Sequence, residues 1–218
     1  MTSSSGVKNA CEDNRELLLL LLLTCGALIA SGVSPFDRGT WLMEVAPVFI
    51  GLPLLWATFR RFRLTPLLYR LIFLHALILI LGGHYTYAQV PLGFWMQEVF
   101  DFSRNHYDRL GHIAQGFIPA ILSREILIRT SALRPGRWLF FICVSICLAF
   151  SAFYELLEWW AAASLGKSAD AFLGTQGDMW DTQWDMFMAL CGACLSLSLL
   201  GSLHTRALKT LGVFPQSS

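Results

Sequence analysis

Hydrophobic residues dominate this chain in six long stretches, and polar residues cluster at their ends. A hydrocarbon core about 30 Å thick needs roughly 20 mainly apolar helical residues to cross it. Stretches that meet this demand run at about 17–33, 41–59, 66–83, 107–128, 138–163 and 179–203. The first holds an unbroken leucine run from Leu17 to Leu23, and the fourth is the most polar. Connections are short, with no low-complexity linker and no convincing internal repeat. The pattern predicts an all-α fold, a polytopic integral membrane helical bundle of about six transmembrane helices. Residues 1–16 then form a cytoplasmic leader, 17–204 the transmembrane domain and 205–218 a cytoplasmic tail.

Composition agrees. Of 218 residues 55% are hydrophobic and only 14% charged, against about 25% charged in an average soluble domain. With 16 Lys+Arg and 15 Asp+Glu the formal net charge is +1, and no basic block marks a nucleic-acid surface. The position of the charges says more than their sum. Arg60, Arg61 and Arg63 follow the second stretch; Arg124, Arg129, Arg134 and Arg137 lie at or after the end of the fourth; Arg206 and Lys209 follow the sixth. By the positive-inside rule these connections and both termini are expected in the cytoplasm. The first stretch, preceded by the acidic Glu12, Asp13 and Glu16, makes a poor cleaved signal. Five of six cysteines fall inside apolar stretches and are expected to be packing residues, Cys191 and Cys194 included.

Ionisable side chains inside a bilayer are costly, so their placement carries information. On this topology the outer ends of stretches two to six contribute Glu44; His84 after Gly82-Gly83; His106, Asp108, His112 and Gln115; Glu155 and Glu158; and Asp178, Asp181 and Asp185. Asp108, His112 and Gln115 share one helical face, as do Glu155 and Glu158, and Asp178, Asp181 and Asp185. If these stripes turn inward, seven carboxylates and three imidazoles meet in one half of the bundle. Like charges at close range cannot all ionise there. Some must be protonated, pair with Arg104, Arg109 or Lys167, or bind a cation. Mixed His and carboxylate ligation suits Zn, Mn or Fe. His84, Asp108, His112, Asp181 and Asp185 are the expected ligands, with Glu155 or Glu158 as general base or orienting group. Glu44, His106, Gln115 and Asp178 complete the polar cluster.

Other residues have plainer readings. Asp178 after Gly177 could cap the last helix. His75 stands alone in mid-stretch and is expected to hydrogen-bond between helices, while His204 leaves the bundle at its cytoplasmic end. Glu125 and Arg129 have salt-bridge spacing, and Arg70 should snorkel. Trp95, Met96, Val99 and Phe100, with Glu98 and Asp101 interleaved, read as a short amphipathic interfacial helix. Trp159, Trp160, Trp180 and Trp184 read as an aromatic belt.

The run His106-Tyr107-Asp108-Arg109-Leu110-Gly111-His112 resembles one found in the YjdF-like bacterial inner-membrane proteins. So do Tyr154-Glu155-x-x-Glu158-Trp159 and Gln176-Gly177-Asp178-x-x-Asp181-Thr182-x-x-Asp185-Met186. The resemblance implies a bacterial inner-membrane location and marks the same polar residues, but it supplies no reaction. Three functions fit the residues. One is a metal-dependent hydrolase working near the outer leaflet on a lipid or amphiphile that enters laterally. The others are a proton- or cation-coupled transporter using the same carboxylates, and a non-catalytic assembly or partner-binding subunit.

Overall fold

A computed structural model describes residues 4–165 and 175–214, with side chains for 14–164 and 175–214. Lys167, a possible partner for the acids, lies outside the described residues. Among them the fold is helical, with no strand. The helices are α1 (Ser4–Ser31), α2 (Arg38–Thr58), α3 (Pro66–Tyr85), α4 (Pro91–Phe100), α5 (Tyr107–Thr130), α6 (Arg137–Leu165) and α7 (Asp181–Thr210). A single 3₁₀ turn, Tyr87–Gln89, precedes α4. The helix begun at Ser4 continues without a break into the leucine run, so the leader and the first span are one element.

Local chemistry sets the helix ends. The Asp37 side chain accepts from the Thr40 backbone N–H at 2.7 Å and caps α2. Thr65 caps α3 through the Leu68 N–H, with Pro66 in the first turn, where its missing donor costs nothing. Asp101 stops α4 in the left-handed region at φ 55°. The amphipathic segment is therefore the helix expected, and Trp95, Val99 and Phe100 are exposed on it.

Among the described residues five helices are long and apolar enough to cross a membrane: α1, α2, α3, α6 and α7. Helix α5 has the length, since 24 residues span about 36 Å, but it carries Asp108, Arg109, Arg124, Glu125 and Arg129. Its polarity is tolerated because it is the inner helix, packed on α3, α6 and α7. Eleven of its residues are buried, among them Arg109, His112, Arg124 and Glu125.

Helices α5 and α7 run in the same direction and touch backbone to backbone. A Cβ on Gly116 would lie 1.9 Å from the Ala189 carbonyl oxygen, and one on Gly192 would lie 2.2 Å from that of Ile113. Small residues permit such an approach in a bilayer, where packing rather than water expulsion drives helix association. One turn before this contact on each helix stand His112 and Asp185. The seam thus fixes the spacing of two site residues. Beyond it an apolar layer of Leu68, Ala120, Ile121, Cys143, Cys147, Ala193 and Leu197 fills the bundle. A second cluster, Leu28, Val45, Val48, Ala76 and Ile80, joins α1, α2 and α3. The cysteines of these layers are unpaired thiols.

Candidate functional site

The acidic end of the bundle is built where the loop before α5 meets the start of α7. Arg104 donates to Asp178 at 3.1 Å, to Asp181 at 2.8 Å and to the Thr175 carbonyl. Arg109, in the first turn of α5, donates to Asp178 at 3.2 Å, to Asp181 at 2.7 Å and to Asp185. Two guanidinium groups thus serve three carboxylates, and bidentate donation of this kind is what arginine does best. The loop is pinned beside them. Asn105 is buried, donates to the Val90 carbonyl at 3.0 Å and accepts from the Tyr107 N–H at 3.0 Å. Gln176 completes the clasp by donating to the Asn105 carbonyl at 2.8 Å. Gly93 makes room, because a Cβ there would lie 1.7 Å from the Asn105 side-chain oxygen.

His112 is the centre of what remains. Its Nε2 lies 3.5 Å from Asp108 Oδ1, 3.8 Å from Glu155 Oε1 and 3.8 Å from Asp185 Oδ1. Ligand atoms of Asp108, His112 and Asp185 all fall within 4.8 Å of one another, and so do those of His112, Glu155 and Glu158. His112, Glu155 and Asp185 are buried. Two buried atoms here have no hydrogen-bond partner, Nδ1 of His112 and Oε1 of Glu155. Asp108, Glu155 and Glu158 have no lysine or arginine ion-pair partner among the described residues. Buried carboxylates in that position call for a proton or a cation.

Not every expected residue joins this group. His84 is drawn instead to the α1 end, its Nδ1 2.8 Å from the Ser31 carbonyl and its ring edge-on to Tyr85. Asp181 spends its carboxylate on the two arginines. His106 begins α5 with its ring edge-on to Phe102, and burial first, then the nearby Arg104 and Arg109, lower its pKa below the usual imidazole value. Glu44 is buried beside Tyr154, whose hydroxyl donates to it at 3.3 Å. Gln115 is half-buried one turn beyond His112. Asp178 accepts from the Trp180 N–H at 2.9 Å, but α7 begins only at Asp181, after a turn through Gln176 and Gly177 with positive φ. His75 departs from expectation: its buried Nε2 has no hydrogen-bond partner, and the residue borders a mostly apolar cavity between α1, α2 and α3.

A second polar network, at the opposite end, was only half visible in the sequence. Glu125 is fully buried and accepts from Arg129 at 2.8 Å, the predicted i,i+4 pair. It also accepts from the Thr65 hydroxyl at 2.8 Å and from His204 Nε2 at 2.9 Å. His204, expected to leave the bundle at its cytoplasmic end, is fully buried, because the last turns of α7 pack against α5. Arg124 donates to its Nδ1 at 2.8 Å, which fixes the neutral tautomer with the proton on Nε2. The spacing from Arg124 to His204 is too long for any local pattern to announce it. Arg70 pairs with Glu16 at 2.5 and 2.9 Å, which holds α1 to α3 at the same end.

The chain resembles known membrane proteins along most of its length. The family model described as "Predicted membrane protein (DUF2238)" matches residues 16–206. The "Inner membrane protein YjdF" of Escherichia coli (strain K12) is 54% identical over 200 residues, covering 92% of this chain and 94% of that protein. No solved structure matches the chain.

Proposed function

The chain belongs to the DUF2238 family of predicted membrane proteins, and from that premise we propose that it is an inner-membrane, metal-dependent hydrolase acting on a lipid or other amphiphile. The basic connections at the Arg124 end support a cytoplasmic placement for that end, with the acidic end toward the outer leaflet.

The observation that carries the proposal is the division of the acids. Arg104 and Arg109 hold Asp178, Asp181 and one oxygen of Asp185, while Asp108, Glu155 and Glu158 surround the single imidazole of His112 without a basic partner. Ligand bonds of about 2.0–2.2 Å place tetrahedral donors roughly 3.3–3.6 Å apart. The 3.5 and 3.8 Å spacings around His112 Nε2 lie close to that range. Asp108, His112 and Asp185 would hold a Zn, Mn or Fe ion, and Glu155 would close the set or stand beside it. Such an ion supplies a water that ionises near neutral pH. Glu158, at the edge of the group, would take that water's proton. Arg109 would keep Asp185 oriented. Exposed Trp159, Trp160, Trp180 and Trp184 surround this end and suit an amphiphile's entry from the bilayer.

A carrier would need the polar path to continue through the bundle. The apolar layer of Leu68, Ile121, Cys147 and Leu197 favours a one-sided site instead. The proposal is tested by stripping the purified protein with a chelator, refilling it with Zn or Mn, and following cleavage of a short-chain ester or phosphoester amphiphile. Hydrolysis should depend on the metal and fall about 10²–10⁴-fold in Glu158→Gln. A rate unchanged by stripping would refute it.

A further inference from the structure

The buried network at the basic end carries more positive than negative charge. Glu125 is its one carboxylate, and that carboxylate is taken by Arg129 directly and by His204. Arg124 is also buried, with 6% of its surface exposed. Its hydrogen-bond partners are neutral: His204 Nδ1 at 2.8 Å and the Thr205 hydroxyl at 2.8 Å. No carboxylate pairs with it among the described residues. A guanidinium withdrawn from water without a counter-anion is costly, and it cannot escape by losing its proton.

Beside it lies a cavity of about 150 Å³, lined by Arg124 of α5, Pro135 and Gly136 before α6, Leu139 and Phe140 of α6, and Leu197 and Gly201 of α7. Arg124 is the charged group in this lining. Gly136 and the first turn of α6 border the same space, and the initial backbone N–H groups of a helix have no acceptor within it. Exposed Arg134 and Arg137 flank Pro135 and Gly136 in the chain. The cleft lies between α5, α6 and α7 near the basic end of the bundle.

We infer that this cleft binds a phosphate group, held by Arg124 and the start of α6, and that an anionic phospholipid headgroup supplies it. This site lies at the opposite end from the acidic cluster and does not rest on the hydrolase reading. Basic pockets between transmembrane helices favour such headgroups, and Leu139, Phe140 and Leu197 offer apolar surface for the adjoining chain.

The test measures thermal stability of the detergent-purified full chain with short-chain phosphatidylglycerol, short-chain phosphatidylcholine or inorganic phosphate. Phosphatidylglycerol should raise Tm with a saturable dependence, and Arg124→Gln should weaken binding at least about tenfold. Gly201→Leu provides a second variant, since Gly201 lines the cleft, a Cβ there meets nothing within 4 Å, and Arg124 itself is kept; it should also abolish the shift. Saturable stabilisation by inorganic phosphate alone, lost in both variants, would support the phosphate site and reassign its source. Equal shifts with phosphatidylcholine, or shifts retained in both variants, would overturn the proposal, as would no shift in the parent protein.

Discussion

Arg109 and Asp181 meet at 2.7 Å across the α5–α7 seam, and that bond separates the acids of the bundle into two sets. On one side, Asp178, Asp181 and Asp185 are matched by guanidinium groups. On the other, Asp108, Glu155 and Glu158 gather at His112 with no such match. Asp185 belongs to the first set and also borders the second, with its Oδ1 3.8 Å from His112 Nε2.

Removing Arg109 should therefore be far more damaging than removing an exposed arginine. Arg109→Gln strands buried Asp185, which Arg104 does not reach, and breaking a buried pair from one side costs about 3–5 kcal/mol. Arg104→Gln should cost less, because Arg109 still reaches both Asp178 and Asp181. Thermal or denaturant unfolding in detergent, run on both variants, measures the difference.

The α5–α7 contact predicts a sharp contrast among glycines. Gly116→Ala and Gly192→Ala push a methyl into the facing backbone, so the folded protein should fail to accumulate or should lose several kcal/mol, on the order of other overpacked cores. Gly51→Ala, with nothing within 4 Å of the new methyl, should be neutral or slightly stabilising. Yield of monodisperse protein and its Tm report the outcome.

At the basic end, His204→Ala removes the acceptor for Arg124 and a donor to Glu125 together. Leaving buried polar groups unpaired costs about 1–3 kcal/mol each. His204→Gln, which keeps one donor and one acceptor, should recover part of the loss in the same unfolding assay.

The cap on α2 should be acid-sensitive. Hydrogen bonding from Thr40 lowers the pKa of Asp37 below its ordinary value near 3.8. Its contribution is complete above that ordinary value and is lost as pH falls through the lowered one. Asp37→Asn keeps a capping side chain without the titration, so its stability should fall less between pH 5 and pH 2, as followed by far-UV circular dichroism.

Much of the bundle was legible because helices advertise themselves by period. The i,i+4 spacing of Asp108 and His112, and the i,i+3 spacing of Glu155 and Glu158, correctly placed each pair on one face. The family resemblance carried by those motifs held as well. What spacing could not convey was the partner across the bundle. Arg104 sits in a loop with no repeat to orient it, yet it reaches Asp178 and Asp181 more than 70 residues away. His84 follows a pair of glycines like a site residue, but α3 turns it toward the Ser31 carbonyl. The close approach at Gly116 and Gly192, and the burial of His204, depend on how two helices cross, which no single helix encodes.

Elemental analysis of the natively extracted protein is the decisive measurement for a divalent metal at His112. A metal held there should appear as about one equivalent of Zn, Mn or Fe per chain, lost in folded Asp108→Ala and His112→Ala and retained in His84→Ala, whose ring lies against the Ser31 carbonyl. Metal-free parent protein under native extraction, or a content unchanged in Asp108→Ala and His112→Ala, would contradict it.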